Sequence, residues 1–441
     1  MAEPTQIDLA ELNEAWWVLS TEERLAGFRL LDPESAEEFF HGLDAADQAD
    51  LLLQLGTAER RLWLRTLAPD DAADVIQELP DERRMELIAL LDEATRREVT
   101  ALLAYEEDEA GGLMSSRYAR VRPDMTVDEA ISYLRRQAVS TIEPETIYYV
   151  YVLDGSQRLL GVISFRDLFA SPGNRPVREV MNTDVIAAPD DMDQEAVARL
   201  FAEHDLLALP VIDSTGVLKG IVTVDDIVDV VEEEATEDIQ KYGAMEVLEE
   251  PYLRIGLLSL LRKRVGWLIV LFLAQLVTAS MILEFEDRLS GLFLLSAFIP
   301  LIISSGGNSG SQASTLVIRA MAVGEVRLRD WWRVARRELA VGLTLGLVLG
   351  TLGLLRVLVD DLLGNTTDLA WLVLAGIIST SLVAVVVFGT LVGSMLPFLL
   401  RLVGLDPASA SAPLVSTISD VTGLLVYFTI AVTLIARFTG I

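Results

Sequence analysis

Residues 414–436 read LVSTISDVTGLLVYFTIAVTLIA, an apolar run of membrane-spanning length that contains one carboxylate, Asp420. About 20 apolar residues are needed to cross a hydrocarbon layer of about 30 Å. Four further runs precede it, near residues 265–283, 291–304, 339–359 and 370–398. The second of these is apolar over fewer residues and must continue through residues 306–316 to span. The C-terminal part of the chain is therefore predicted to be a transmembrane domain of five helices.

The negative charge of the chain is concentrated before this domain. Up to residue 255 there are 55 Asp and Glu against 22 Lys and Arg, whereas residues 256–441 contain 11 acidic and 13 basic side chains. A field of this sign repels nucleic acid and attracts cations. The chain has no cysteine, and its two histidines, His41 and His204, lie far apart. The abundant metal ligand is therefore carboxylate oxygen, which hard cations such as Mg²⁺ and Ca²⁺ prefer.

Basic residues flank the predicted spans on one side. Arg262, Lys263 and Arg264 precede the first span. The loop after the second span contains six arginines, Arg319, Arg327, Arg329, Arg333, Arg336 and Arg337. Cytoplasmic loops carry the excess of Lys and Arg, and the first residues contain no basic and apolar segments of a signal peptide. We therefore expect a multi-pass protein of the cell inner membrane with a cytosolic N-terminus and an outer C-terminus.

Three segments precede the membrane domain. Residues 1–112 contain short amphipathic helices that begin at capping residues, and this pattern predicts a stacked helical superhelix. Residues 113–230 contain an internal repeat, and residues 231–255 contain an acidic helix that leads into the membrane domain at residues 256–441. The simplest role of the helical domain is scaffolding, and the alternative is ion sensing.

The internal repeat is visible in matched stretches. Residues 161–167, GVISFRD, align with residues 220–226, GIVTVDD, at an offset of 59, whereas the first halves of the copies match at an offset of 66. The first copy therefore carries a seven-residue insertion. Each copy is predicted to fold as helix, strand, turn, strand and helix. The shared Gly-x-x-Ser/Thr-x-x-Asp pattern resembles a tandem pair of CBS domains, which usually bind adenine nucleotides or ions and regulate an attached domain.

A charged side chain at the centre of a membrane helix costs at least about 2.5 kcal/mol, so Asp420 requires an explanation. One explanation is a structural pair with an arginine of a neighbouring helix, although the spans contain almost no cation. The other is a polar, water-filled path, whose candidate lining residues are Thr417, Ser419, Gly423, Asn308 and Gln312. The glycines and hydroxyls of residues 304–315, SSGGNSGSQAST, predict close helix packing, a pore lining, or both.

Three stretches give a specific resemblance to one family. Residues 306–312, GGNSGSQ, and residues 419–427, SDVTGLLVY, are similar to signature segments of the MgtE family of Mg²⁺ channels, although Ser311 stands where many relatives have Asn. Residues 223–239 are similar to that family's junction between a CBS pair and a plug helix. The resemblance implies a multidomain protein: an all-α N-terminal superhelical domain, α+β tandem CBS domains, a connecting plug helix and a five-helix transmembrane domain.

The resemblance also implies a homodimer in the membrane lipid, with its pore between the two membrane domains. Asp420 from both subunits would hold a hydrated Mg²⁺, and Asp406 would lie near the gate. Mg²⁺ bridging the acidic faces of the CBS pair, plug helix and N-domain would close the pore, through the matching residues Asp193, Glu195, Asp205, Asp226, Asp229, Glu234, Glu237 and Asp238. ATP would bind the CBS pair at Arg166 and Asp167.

No P-loop and no nucleophile–base constellation occurs in the sequence, so no enzymatic activity is expected. The predicted function is passive, Mg²⁺-selective import that is closed by cytosolic Mg²⁺. Two alternatives on the same scaffold are a coupled exchanger and a carrier of Co²⁺ or another divalent cation. An alternative of another class is a nucleotide sensor whose spans only tether it to the membrane.

Overall fold

The computed structural model describes residues 7–137, 146–248, 252–286, 293–364 and 371–439. The chain forms two compact units, residues 1–234 and residues 235–441. The first unit contains the N-terminal helices and the internal repeat. The second unit contains the long C-terminal helices.

Eight short α-helices form the N-terminal part of the first unit. They are α1 (Leu9–Ala15), α2 (Thr21–Phe28), α3 (Pro33–His41), α4 (Ala45–Gln54), α5 (Thr57–Leu64), α6 (Pro69–Gln77), α7 (Asp81–Ile88) and α8 (Glu93–Leu102). The side chains of Ser20, Asp32, Asp44 and Asp92 accept backbone N–H bonds at the starts of α2, α3, α4 and α8. These caps satisfy N–H groups that have no partner within the helix. The predicted all-helical N-terminal domain is confirmed.

Two three-stranded sheets follow, one in each copy of the repeat. The first copy contains β1 (Tyr118–Val121), α9 (Val127–Gln137), β2 (Thr146–Leu153), β3 (Leu159–Ser164), α10 (Phe165–Ala170) and α11 (Val177–Val180). The second contains β4 (Ala188–Pro189), α12 (Gln194–His204), β5 (Ala208–Ile212), β6 (Leu218–Thr223) and the start of α13 (Val224–Tyr242). In each sheet a parallel pair is followed by an antiparallel hairpin.

The two hairpins have the same register. Val150 pairs with Ile163 in the first copy, and Leu209 pairs with Val222 in the second, an offset of 59 on both strands. The predicted tandem α+β repeat is therefore confirmed. The strands β1 and β4 were not predicted, because runs of four and two residues are too short to show alternation. The insertion in the first copy lies before β2, where residues 138–145 are outside the described residues.

One apolar core joins the N-terminal helices to the second copy of the repeat. Leu52 and Ile76 from the helices belong to the same buried cluster as Val222 and Ile227 from the second copy. The first copy has a separate core that includes Val150 and other residues of its sheet and helices. Burial of this apolar surface is the main favourable term in folding. It holds α6 beside the start of α13, where the acidic residues of both helices lie.

Five long α-helices form most of the second unit, after the end of α13. They are α14 (Leu257–Glu286), α15 (Phe293–Ala322), α16 (Trp331–Leu362), α17 (Trp371–Leu402) and α18 (Ala412–Thr439), with 3₁₀ turns at Leu328–Asp330 and Pro407–Ser409. In the described part of the chain four segments are long and apolar enough to cross a membrane, and they contain α14, α16, α17 and α18. The helix α15 is as long as α14, and it continues without a break through residues 306–316, as spanning requires.

The glycines of α15 pack against those of α17. A Cβ atom on Gly310 would lie 2.7 Å from the carbonyl oxygen of Gly389, and one on Gly393 would overlap the carbonyl oxygen of Gly310. The hydroxyls of Ser309 and Thr390 are hydrogen-bonded at 2.7 Å beside this crossing. Small residues allow membrane helices to approach backbone to backbone. This side of α15 is therefore a packing surface, one of the two roles expected for its glycines.

Candidate ion pathway and acidic cluster

Asp420 lies within α18 and is partly buried. Gln275 of α14 donates a hydrogen bond from Nε2 to Asp420 Oδ2 at 2.7 Å. Among the described residues, no Lys or Arg side chain forms an ion pair with Asp420. The arginine-paired explanation of this carboxylate is therefore not supported by the structure. A negative charge oriented by a neutral amide remains able to attract a mobile cation.

The other predicted lining residues of α18 are buried inside the second unit. Thr417 donates its hydroxyl hydrogen to a carbonyl of its own helix at 2.8 Å, and Gly423 lies against Val385 of α17. The Ser419 hydroxyl is fully buried and has no hydrogen-bond partner among the described residues. A water path along these three residues would require the helices to separate.

Asn308 and Gln312 are exposed on the opposite side of α15 from its packed glycines. Ser304 and Thr315 lie on the same face, and the Asn308 side chain donates to the Ser304 hydroxyl at 3.3 Å. Residues spaced by three or four along a helix share one face. Lipid tails do not satisfy such polar groups, so this face requires water or another protein surface.

Lys241, near the end of α13, forms ion pairs with two acidic residues of the second unit. Its Nζ lies 2.6 Å from Asp406 Oδ2, and it also pairs with Glu237 one turn earlier on α13. Burial opposes the charged form of Lys241, but the hydrogen bonds to Asp406 and Glu237 outweigh this effect and raise its pKa above the usual value. Two predicted metal ligands, Asp406 and Glu237, are thus brought together around one ammonium group.

Tyr242 provides a second connection between α13 and the membrane helices. Its hydroxyl lies 3.0 Å from the carbonyl oxygen of Ser311 and 2.5 Å from the hydroxyl of Thr315, both on α15. Its ring packs in a small apolar cluster that includes Ile318 and Ala408. The end of α13 is therefore attached to α15 and to the turn between α17 and α18.

Asp74 of α6 has a strongly raised pKa and lies among other carboxyl groups of the first unit. Burial, followed by the negative charges of Asp70, Asp71, Glu107 and Asp226, raises the pKa of Asp74 to about 8. Asp74 and the four carboxylates that disfavour its charge define a site where a cation would be attracted. This acidic cluster joins the N-terminal helices to the second copy of the repeat.

Asp226 of α13 lies in the same cluster. Burial raises its pKa to about 7, with contributions from the charges of Asp225 and Asp71, although the Thr223 hydroxyl donates a hydrogen bond to it at 2.7 Å. Asp229 lies one turn further along α13. Within the described residues, no three Asp, Glu or His side chains converge closely enough to chelate one ion directly. The arrangement suits a cation that keeps its own water shell, as Mg²⁺ does.

The remaining residues predicted to sense a cation have other local contacts. Asp193 caps the start of α12, Glu195 pairs with Arg199 at 3.1 Å, and Asp205 ends α12 in a left-handed conformation with φ 50°. Glu234 accepts a hydrogen bond from Gln194 at 2.8 Å, and Asp238 lies on α13 within the second unit. The structure therefore gathers Asp226 with N-terminal carboxylates, whereas Asp193 caps the start of α12 and Glu195 forms an ion pair along it.

The two copies of the repeat use one turn differently. In the first copy the Ser164 hydroxyl donates to Asp167 at 2.7 Å, as Thr223 donates to Asp226 in the second. Asp167 and its neighbour Arg166 are exposed, whereas Asp226 is partly buried in the acidic cluster. The exposed pair of the first copy is therefore accessible to a soluble ligand.

Three residues at these sites were not predicted. Gln275 is a carboxamide inside an otherwise apolar run, and that contrast was the available signal. Asp74 follows Asp70 and Asp71 on one short helix, which was recognised only as a helix start. Lys241 is the one basic residue of a strongly acidic helix, α13. Its partner Asp406 lies 165 residues away in the sequence, so their contact requires the tertiary structure.

Long apolar helices that follow a helical domain and a tandem α+β repeat define a multi-pass membrane protein with a large N-terminal part outside the membrane helices. Residues 299–430 match a family described as a divalent cation transporter, MgtE. Residues 7–108 match the MgtE intracellular N domain, and residues 110–172 and 177–233 each match a CBS domain.

Named relatives extend over most of the chain. The chain is 45% identical to "Magnesium transporter MgtE" of Thermus thermophilus over 429 residues, which cover 97% of this chain and 93% of that protein. It is 35% identical to "Magnesium transporter MgtE" of Enterococcus faecalis, with 76% and 71% covered. A solved structure, "Crystal structure of the cytosolic domain of the Mg2+ channel MgtE in complex with ATP", is 44% identical over 52% of this chain and 92% of its own, with a TM-score of 0.47.

The chain belongs to the MgtE family. The family predicted from residues 306–312 and 419–427 is therefore confirmed. The family is one of transporters, so the expectation that the protein is not an enzyme is confirmed as well.

Proposed function

We propose that the protein is a homodimeric, Mg²⁺-selective channel that imports Mg²⁺ across the inner membrane and is closed by cytosolic Mg²⁺. The proposal rests mainly on Asp420, a carboxylate within a membrane helix that is oriented by Gln275 and forms no ion pair with a described Lys or Arg. The exposed polar face of α15, with Asn308 and Gln312, supplies a surface for water and for a second subunit. The relatives' names support Mg²⁺ as the ion.

A hydrated ion fits this donor set. Mg²⁺ sheds its water reluctantly and is commonly bound through one or two carboxylates. Asp420 of each subunit would contribute one oxygen-rich group to the water shell, and Gln275 would orient it. Asn308 and Gln312 would hydrogen-bond to the waters. Thr417, Ser419 and Gly423 would support the path by packing rather than by direct contact, because they are buried within the subunit.

The orientation follows from the basic residues that flank the spans. Arg262, Lys263 and Arg264 precede α14, and five exposed arginines follow α15. The excess of Lys and Arg favours the cytosolic side for both. With five spans, including α15, the N-terminus is cytosolic and the C-terminus is outside.

Transport is tested with purified protein in vesicles that carry an Mg²⁺-sensitive dye. A channel should admit Mg²⁺ along its gradient without any added counter-ion, and the flux should follow the membrane potential. A strict requirement for an opposing ion gradient would show a coupled exchanger instead. A Co²⁺ flux that exceeds the Mg²⁺ flux would show a carrier of another metal, and no divalent flux at all would support a membrane-tethered sensor.

We place the Mg²⁺ sensor in the acidic cluster that contains Asp74 and Asp226, with Asp71, Asp225 and Asp229 nearby. The raised pKa values of Asp74 and Asp226 indicate that these groups resist full ionisation together. A divalent cation would relieve this repulsion and draw the N-terminal helices onto α13. The predicted ligands Asp193, Glu195, Asp205, Glu234 and Asp238 remain proposals for an outer layer of the sensor.

The acidic cluster predicts a pH dependence in Mg²⁺-free buffer. Asp74 binds its proton more tightly in the folded unit than in the unfolded chain, where its pKa is near 3.8. The stability that this group contributes is therefore complete below about pH 4 and is lost as pH rises through about 8. We expect the unfolding temperature of the full-length protein in chelator to fall by about 5 °C across this window.

Millimolar Mg²⁺ should prevent most of this fall in the unfolding temperature, because the bound cation replaces the protons in neutralising the carboxylates. The variant Asp74→Asn with Asp226→Asn should show a flatter pH profile and a smaller response to Mg²⁺. Glu86, which pairs with Arg83 at 3.0 Å on the surface of the first unit, provides a matched control, since Glu86→Gln should leave the profile unchanged. An Mg²⁺ response that is equally large at pH 5 and pH 8.5 would contradict the proposal.

The contacts of Lys241 and Tyr242 predict a second effect, on the closed state. Lys241→Gln removes the ion pairs with Asp406 and Glu237. It should raise the residual flux at Mg²⁺ concentrations that close the pore about three- to fivefold, because a partly exposed ion pair contributes up to about 1 kcal/mol. Tyr242→Phe should act in the same direction because it removes the hydrogen bonds to α15. Lys219→Gln, which breaks an ion pair with Asp213 in the first unit, is the matched control. Unchanged residual flux in both α13 variants would refute this role.

A nucleotide is proposed for the first copy of the repeat. Arg166 and Asp167 are exposed there, whereas the equivalent Asp226 of the second copy belongs to the acidic cluster. An arginine suits a phosphate group, and a carboxylate suits ribose hydroxyls. Isothermal titration of the full-length protein with ATP, repeated with Asp167→Ala, tests the assignment. Equal affinity in the two proteins would exclude this site.

A further inference from the structure

A segment rich in arginine and tryptophan connects α15 to α16. We call residues 327–337, RLRDWWRVARR, the arginine–tryptophan segment. The side chains of Trp331 and Trp332 are 51% and 57% exposed. Their ring centroids are 5.6 Å apart and the ring planes are inclined at 66° to each other. Two neighbouring indoles that the unit leaves exposed form a large amphipathic surface, which favours a boundary between apolar and polar surroundings.

The arginines of this segment are mostly without acidic partners. Asp330 accepts a bond from the Arg327 backbone N–H at 3.2 Å and pairs with Arg333 at 3.0 Å. Among the described residues, no carboxylate lies within ion-pair distance of the side chains of Arg327, Arg329, Arg336 or Arg337. All five arginines are exposed. The segment therefore contains five exposed arginines, of which only Arg333 forms an ion pair with a described carboxylate.

Two of these arginines lie on one face of α16. Arg333 and Arg336 are three residues apart on that helix, which is the spacing of one helix face, and Arg329 lies in the 3₁₀ turn just before it. The segment lies in the last part of a connection and the first two turns of α16. Guanidinium groups bind phosphate oxygens in a bidentate manner. Two guanidinium groups on one face of α16 and a third in the preceding turn supply donors for one or two phosphate groups.

The length of α16 places the segment at the edge of the membrane. The helix has 32 residues, which at about 1.5 Å each make a rod of about 48 Å, longer than a hydrocarbon core of about 30 Å. The apolar run at residues 339–359 fills that core. Residues 327–337 then lie in the headgroup layer, where Trp is enriched and where Lys and Arg meet lipid phosphates.

We propose that the arginine–tryptophan segment is a binding site for anionic phospholipid headgroups. The guanidinium groups of Arg329, Arg333 and Arg336 would contact the phosphates, and the indoles of Trp331 and Trp332 would lie beside the glycerol region. The site requires only that α16 crosses the membrane, and it is independent of the Mg²⁺ pathway. The assignment to the cytosolic leaflet alone rests on the proposed orientation.

A rival occupant is the acidic first unit of the same chain, which also offers negative charge. The exposed tryptophans favour the lipid, since an acidic protein surface would match the arginines but would leave two indoles in water. A soluble phosphate would match the arginines in the same incomplete way. The observations therefore favour a ligand that combines a phosphate with apolar chains.

The test uses the full-length protein in vesicles or nanodiscs of phosphatidylcholine, with or without phosphatidylglycerol. Native mass spectrometry after partial delipidation should show phosphatidylglycerol retained in preference to phosphatidylcholine. The triple variant Arg329→Gln, Arg333→Gln and Arg336→Gln should bind phosphatidylglycerol about a hundredfold more weakly, from about fivefold per arginine at an anionic surface. The triple variant Arg61→Gln, Arg122→Gln and Arg135→Gln removes equal charge from exposed positions of the first unit and should bind as wild type does.

A second measurement does not depend on the folding of the arginine variant. The fluorescence of Trp331 and Trp332 is obtained by subtracting the spectrum of the double variant Trp331→Phe and Trp332→Phe from that of wild type. Brominated phosphatidylglycerol should quench this fluorescence more strongly than brominated phosphatidylcholine does. Equal quenching by the two lipids, or equal retention of phosphatidylglycerol by the wild type and the arginine variant, would overturn the proposal. So would stabilisation of the protein by inorganic phosphate alone. Loss of the Mg²⁺ response without loss of lipid binding in the arginine variant would show that the acidic unit is the partner.

Discussion

Replacing Asp420 with asparagine is expected to reduce Mg²⁺ flux at least about a hundredfold. The substitution keeps the size of the side chain and its capacity to hydrogen-bond with Gln275, but it removes one negative charge per subunit from the proposed pathway. A carboxylate a few ångströms from a divalent cation contributes several kcal/mol of attraction at an effective dielectric constant near 20. A loss of about 2.7 kcal/mol already corresponds to a hundredfold lower flux. The measurement is dye-detected Mg²⁺ uptake into vesicles at equal protein content, supported by growth of a transport-deficient strain.

Three variants sharpen this test. Asp420→Glu keeps the charge and should retain part of the flux. Gln275→Leu keeps the carboxylate but removes the amide that orients it, so an intermediate loss is expected. Thr429→Val, about two and a half turns further along α18, replaces an exposed hydroxyl that bonds only to its own helix and should transport as wild type does. Wild-type flux in Asp420→Asn would leave the proposed pathway without its central group.

Gly393→Val is expected to abolish folded protein rather than to lower transport by degrees. At this position α17 crosses α15 with no space for a side chain, since even a Cβ would overlap the Gly310 carbonyl oxygen. That contact is between two backbones, and neither can move without separating the helices. Over-packing a flexible core costs about 1–3 kcal/mol, so a clash between rigid backbones should cost more. Size-exclusion chromatography and thermal unfolding in detergent would measure the loss.

Gly376→Val provides the matched control on the same helix. The Cβ added at Gly376 meets no atom within 4 Å, so this substitution should leave the elution profile and the unfolding temperature close to those of wild type. Gly389→Val should resemble Gly393→Val, because its Cβ would overlap the Gly306 carbonyl oxygen. A normally folded Gly393→Val protein would show that the two helices are not in backbone contact.

Much of the fold could be predicted from particular patterns in the sequence. The offset of 59 between GVISFRD and GIVTVDD recurs in the paired residues of both hairpins. The apolar runs recur as α14 to α18, and the short helices of the N-terminal domain begin at Asp and Ser caps. These features are local, because caps, periodicity and run length act within a few turns. The two shortest strands, β1 and β4, were missed because they depend on pairing with distant strands.

The candidate site was predicted less completely. Asp420 could be identified because a carboxylate in an apolar run is conspicuous, yet its partner Gln275 lies 145 residues earlier. The sensor residues were assigned along α12 and α13. The pKa values of Asp226 and Asp229 on α13 are indeed raised, but the pKa of Asp74 is raised further, and Asp74 comes from the N-terminal helices. The charges of these groups interact across space, and the distances between them cannot be read from the sequence.

The sequence by itself determined the kind of protein. Its apolar runs are long enough to require a bilayer, and it contains two copies of one repeat. The one acidic residue of α18 lies in a segment that is recognisable as a family signature. Only the tertiary structure decided which groups meet, namely Gln275 with Asp420, Lys241 with Asp406, and α6 with the start of α13. The physical reason is range. The length of an apolar run and the helix propensity of a segment depend on neighbouring residues in the sequence. Hydrogen bonds, ion pairs and pKa shifts depend on distances between residues that only the folded chain brings together.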